Sequence, residues 1–217
     1  MVEFDFIKAI LTNNPKIILE KSKIVLEEKQ ESVKGRENVV QRIKIDEEDI
    51  DDIVVYKFAN ENGEIDFPFF SKGKNTPKLL RKFCDYIIIC TCKKKLFVVL
   101  VELKAADKEN FTENFKKAKK QLDATEVFMK YIFETFERIK HDNDNKKTYN
   151  NIENCSINLN ICIKKSVFLS DINQTTSTNR GKNASTNKIY CDGYYRCDLA
   201  VVDTFQLKSI LLKKKSK

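Results

Sequence analysis

The 217-residue chain suits one domain and is long enough to bury a core. Its 40 Lys and Arg against 32 Asp and Glu leave a formal charge of +8, which permits a polyanionic partner such as nucleic acid without requiring one. A single histidine, His141 in a polar stretch, leaves no His-rich zinc site and only that one residue for a Ser-His-Asp relay, and five glycines form no glycine-rich phosphate loop.

The first residues, MVEFDFIKAILTNN, carry acids and no long apolar core, which argues against a secretory signal. Phe4, Ile7, Ile10 and Leu11 fall at helical spacing, and Ile17, Ile18 and Leu19 follow Pro15. They predict one helix, or two short ones, broken near Asn13–Pro15, and make 1–37 an N-terminal helical segment with an exposed, charged end over 27–37. Val39–Ile45 and Ile53–Phe58 read as strands joined by an acidic run. After the loop chemistry of 71–77 comes the stretch Phe83–Lys104, FCDYIIICTCKKKLFVVLVELK. Its two apolar runs, Tyr86–Cys90 and Leu96–Val101, lack helical spacing and read as strands buried on both faces. Phe111, Phe115, Ala118, Leu122, Thr125, Met129, Ile132, Phe136 and Ile139 recur in steps of four and three, one stripe of a long helix. Asn110 with Glu113 is its expected cap. Ile157–Ser170 predicts further strand, and 175–187 a polar loop. A hairpin of Ile189–Cys191 and Tyr194–Val202 is expected around the Asp-Gly pair between them, and 188–217 holds C-terminal strands and a lysine-rich tail. No run reaches the roughly 18 apolar residues of a membrane span. Seven cysteines, several in apolar strands, fit reduced thiols and a cytoplasmic location better than a disulfide framework. The order of elements predicts an α/β domain, a mixed β-sheet with a central hairpin flanked by helices.

Charged groups stand only at the ends of the central runs. A hairpin turning between Lys93 and Lys94 places Asp85 opposite Glu102, with Lys104 two residues on and facing the same way. Hard carboxylate oxygens of Asp85 and Glu102, with the Leu103 carbonyl, could bind Mg2+, or Mn2+ in its place. Such a cation activates water and offsets charge on a phosphate, and Lys104 adds positive charge.

Asp85, then Glu102-Leu103-Lys104, then the long helix resemble the PD-(D/E)XK nuclease superfamily over a core of about 39–169. The resemblance implies a restriction-endonuclease-like fold and metal-dependent phosphodiester hydrolysis, usually of DNA, by an endonuclease. Cys84 stands where the family often has proline. The resemblance also implies a role for Gln121, since a glutamine on this helix touches the metal-bound water or the backbone phosphate in several families. The tyrosine that some families carry four residues later is Thr125 here. An extra acid from the N-terminal region is another family feature, with Glu20, Glu28 and Glu37 as candidates.

A plainer reading is that these charges mark where buried strands emerge into water. Likewise Lys116, Lys117, Lys119 and Lys120 read either as phosphate contacts or as a solvated helix face. The alternatives to a DNA endonuclease are an RNase, or a non-catalytic nucleic-acid-binding or scaffold protein of the same fold. In a single domain of 217 residues, sequence choice would come from loops, a homodimer or a partner protein.

Overall fold

Two antiparallel runs rich in β-branched residues form the centre of the molecule. The computed structural model describes residues 17–18, 24–31, 37–57, 83–144, 161–171, 187–191, 193–199 and 202–211. Within these, β1 (Ile17–Ile18), β2 (Val25–Glu31), β3 (Glu37–Asp46) and β4 (Asp52–Lys57) precede the central strands β5 (Tyr86–Cys92) and β6 (Lys95–Ala106). A 3-10 turn, Lys108–Asn110, leads into the long helix α1 (Phe111–Asp144). Strands β7 (Ile161–Asp171), β8 (Asn187–Cys191), β9 (Tyr194–Leu199) and β10 (Val202–Gln206) follow, then the short helix α2 (Lys208–Leu211).

Strands β5 and β6 pair antiparallel from Cys92–Lys95 up to Tyr86–Val101, the register read from the sequence. Lys93 and Lys94 have φ of 50° and 61°. Positive φ at both positions is what a two-residue hairpin turn needs to follow the strand twist. Every residue of β5 is buried, as two covered faces require. The large sheet runs β1-β4-β5-β6-β7-β9-β8. Its left half is antiparallel, while β6, β7 and β9 run parallel. A second sheet, β10-β3-β2, joins β10 to β3 in parallel and β2 to β3 antiparallel.

Strand alternation then decides which residue meets which layer. Ile87, Ile89, Val98 and Leu100 face α1, where they meet Phe111, Ala118, Leu122, Met129 and Phe133. Ile88, Val99, Val101 and Leu103 face the second sheet, against Leu26, Ile43, Ile45 and Phe205. The molecule is therefore mixed α/β in three layers: helix, large sheet, small sheet. Tyr86 ties the layers together, because its hydroxyl accepts the Glu27 N–H at 3.0 Å and donates to the Glu27 carbonyl at 2.9 Å. That occupies edge groups of β2 which would otherwise invite another strand.

Several expectations are corrected. Ile17–Ile18 pairs with Tyr56 and Val55 as strand, and Val25–Glu31 is strand where an N-terminal helical segment was expected. From Ile24 into β2 the buried positions alternate, with Ile24 and Leu26 inside. Charges on the rest conceal that period, while pairing with β3, including Arg42 on Glu27 at 2.8 Å, secures it. Glu113 bonds Lys117 at 2.7 Å rather than closing a capping box, and Asn110 ends the 3-10 turn. Residues 1–16, most of the 175–187 loop and the tail lie outside the described residues. Among the described residues no helix is long and apolar enough to cross a membrane.

Candidate active site

The ladder between β5 and β6 ends at Tyr86–Val101, and one step beyond it side chains continue what the main chain began. Asp85 donates its N–H to Glu102 Oε2 at 3.1 Å. In return Asp85 Oδ2 accepts the Leu103 N–H at 2.8 Å. Each carboxylate thus grips the backbone of the opposite strand, which fixes the two acids side by side. Lys104 Nζ pairs with Glu102 Oε1. The hairpin register brings together the three residues singled out in the sequence.

Leu103 contributes through its backbone. The N–H and C=O of one strand residue point the same way, so a Leu103 N–H that reaches Asp85 puts its carbonyl on that edge too, past the last rung of β5. Two carboxylates and a carbonyl are hard oxygen donors of the type Mg2+ and Mn2+ take. Among the described residues Asp85 Oδ1 takes no hydrogen bond, so a donor atom is left for a cation. Asp85, Glu102 and Leu103 could therefore hold one. Among the described residues no group of three or more acids, histidines or cysteines converges. Glu20 lies outside them, and Glu28 and Glu37 fall on β2 and β3.

Burial sets the electrostatics. Glu102 is fully buried, and its carboxyl titrates well above the usual range, through desolvation first and the charge of Asp85 second. The Lys104 ammonium and the Asp85 N–H work the other way. Asp85 is also raised, by desolvation, against the pull of Lys104, the Leu103 N–H and Lys57. Two acids pressed together, Glu102 fully and Asp85 partly out of water, favour holding a proton or a cation between them.

Helix α1 fastens the segment that carries Asp85 into β5. Thr125, fully buried, accepts the Cys84 N–H at 2.8 Å and donates to the Gln121 carbonyl at 2.9 Å. Gln121 donates from Nε2 to the Phe83 carbonyl at 3.2 Å. The structure thus places Gln121 beside the site with its bond on the main chain two residues before Asp85. Burial, with Glu102 and Asp85 nearby, pushes the Cys84 thiol far up. Its Sγ–H donates to the Tyr86 carbonyl at 3.2 Å, so it is a neutral packing group.

Sequence reasoning missed Lys57 and the work of Thr125. Lys57 ends β4 opposite Tyr86 and lies 5.9 Å from its ring, a second cation near Asp85. Its signal was faint, a lysine closing an apolar run whose partner strand was unknown. Thr125 was read as one position of the apolar stripe. The four helix lysines disperse: Lys117 pairs with Glu113, Lys119 lies 4.6 Å from the Tyr194 ring, and Lys116 and Lys120 are exposed. No family model, curated protein or solved structure matches the chain.

Proposed function

We propose that the chain is a divalent-metal-dependent endonuclease that hydrolyses phosphodiester bonds, with DNA as substrate. The observation that carries the reading is the reciprocal grip of Asp85 and Glu102 at the end of a buried hairpin, with Lys104 on Glu102. The mixed sheet with α1 packed behind it is compatible with a restriction-endonuclease-like fold. Asp85 and Glu102 hold Mg2+ or Mn2+ together with the Leu103 carbonyl, and the bound ion supplies Lewis acidity and charge neutralisation. The Lys104 side chain is 21% exposed, enough for its ammonium to swing off Glu102. It then holds the attacking water or a phosphoryl oxygen and offsets charge that grows in the transition state. Gln121 and Thr125 keep Asp85 in place. Buried free thiols at Cys84, Cys90, Cys92 and Cys197 suit a reducing cytoplasm. Target choice comes from loops, a second copy or a partner protein.

The test incubates the protein with supercoiled plasmid, linear duplex, single-stranded DNA and RNA, in Mg2+, in Mn2+ or in EDTA. Cleavage of DNA is expected only with metal, and Lys104→Ala should reduce it about 10²- to 10³-fold, the scale of one lost electrostatic contact. Cleavage confined to RNA would reassign the substrate and keep the chemistry. Equal cutting by both proteins, or metal-independent cutting, would sink the proposal.

A further inference from the structure

We propose that Arg196 binds a second phosphate of the polynucleotide, on a nucleotide next to or near the one that is cleaved. The inference rests on the function proposed above and adds a substrate contact to it.

The sheet itself sets the position. Glu102 of β6 registers with Val167 of β7, and Val167 with Arg196 of β9. The three strands are parallel, so residues in one such row share a face, and two strand spacings put Arg196 about 10 Å from Glu102. The face is the one that carries the site, because the Arg196 guanidinium lies 5.8 Å from the ring of Phe111, a residue of the α1 core. Only the buried, apolar Val167 stands between them in the row.

The guanidinium is already oriented. Asp198 takes Nε at 2.9 Å and Nη2 at 3.3 Å, a side-on grip that uses two of the five N–H donors and leaves three. Phe111 supports the plane. Arg196 keeps 27% of its side chain exposed, so the remaining donors can be reached. A planar, pre-oriented fork with unused N–H groups matches a phosphate better than a flexible ammonium does. Duplex DNA rises about 3.4 Å per nucleotide along one strand, so 10 Å corresponds to a phosphate within about three steps of the scissile one.

The experiment measures binding of a short fluorescein-labelled DNA duplex as a function of salt, with Ca2+ replacing Mg2+, for wild type, Arg196→Gln and Arg196→Lys. Glutamine keeps the aliphatic stem over Phe111, and thermal melting of each variant checks the fold. Arg196→Gln should weaken binding about tenfold and reduce the slope of log K against log salt by about 0.9, the signature of one lost phosphate contact on duplex. Arg196→Lys should restore the slope, since it restores the charge. In cleavage assays Arg196→Gln should raise KM more than it lowers kcat. An unchanged slope in Arg196→Gln overturns the inference even if the wild type cuts DNA. A lowered slope in a protein that cuts nothing supports the phosphate contact and overturns the nuclease reading instead.

Discussion

Glu102→Gln should lose at least about 10³-fold in DNA cleavage and, in EDTA at pH 8, melt at a higher temperature than the wild type. The loss follows from removing one of the two carboxylates proposed to hold the cation, several kcal/mol of transition-state stabilisation at about 1.4 kcal/mol per tenfold. The gain follows from linkage. Glu102 titrates above its ordinary value in the folded protein, so the fold favours its protonated form. Below the unfolded-state pKa, about 4.3, folded and unfolded chains both carry the proton and nothing is lost. As pH climbs from there through the raised folded value, the unfolded chain ionises first and stability falls. A neutral glutamine escapes that fall. The advantage of the variant should therefore be small at pH 4 and grow with pH. At pH 8 it should reach at least about 2–4 °C, the shift that 1 kcal/mol makes in a chain of 150–250 residues. Lys104, partly exposed, can turn to water when its carboxylate partner is gone. A melting difference independent of pH would contradict the electrostatic reading of the pair. A site that costs stability when empty is the usual mark of residues kept for function.

The second large effect belongs to a residue that touches no substrate. Thr125→Val keeps the shape of the side chain and deletes its hydroxyl. The buried Cys84 N–H, one residue before Asp85, then has no acceptor. An orphaned buried donor costs about 1–3 kcal/mol, and Tm should fall about 2–12 °C at the sensitivity given above. Loss of the bond also lets the start of β5 drift, and supporting residues of this kind typically control about 10- to 100-fold in metal affinity or activity. Thr125→Ser retains the hydroxyl and should recover Mn2+ affinity, even though the lost methyl leaves it somewhat less stable. If serine and valine weaken Mn2+ binding equally, Thr125 acts through packing alone.

Much of the site was legible because one local constraint sets it. A hairpin turning between Lys93 and Lys94 takes the register that ends in Tyr86–Val101, and one step on that register puts Asp85 against Glu102. The Asp-Gly hairpin before Tyr194 was readable for the same reason, with Gly193 at φ 86°. Features set by distant contacts were not. The strand β2 is written in charges, VLEEKQE, and becomes recognisable only beside β3. The end of the chain reads as one continuous strand across Tyr194–Val202. In the structure β9 ends at Leu199 and β10 crosses to the other sheet, beside residues 42–46. Among the described side chains of the helix stripe, Phe111, Ala118, Leu122, Thr125 and Met129 are buried, and near its end Phe133 rather than Ile132 is the buried one. Gln121 was legible as a neighbour of the site through resemblance, whereas its bond to the Phe83 carbonyl depends on how α1 lies across β5. Residue spacing carries no such information.

The central claim is that this hairpin register builds one cation site. Titration of metal-free protein with Mn2+ at neutral pH, read by calorimetry, tests it most directly in wild type, Asp85→Asn and Glu102→Gln. One Mn2+ per wild-type chain, with affinity at least about tenfold weaker in each variant, is the predicted result. A wild type that binds no Mn2+, or variants that bind it as tightly as the wild type, would contradict the account.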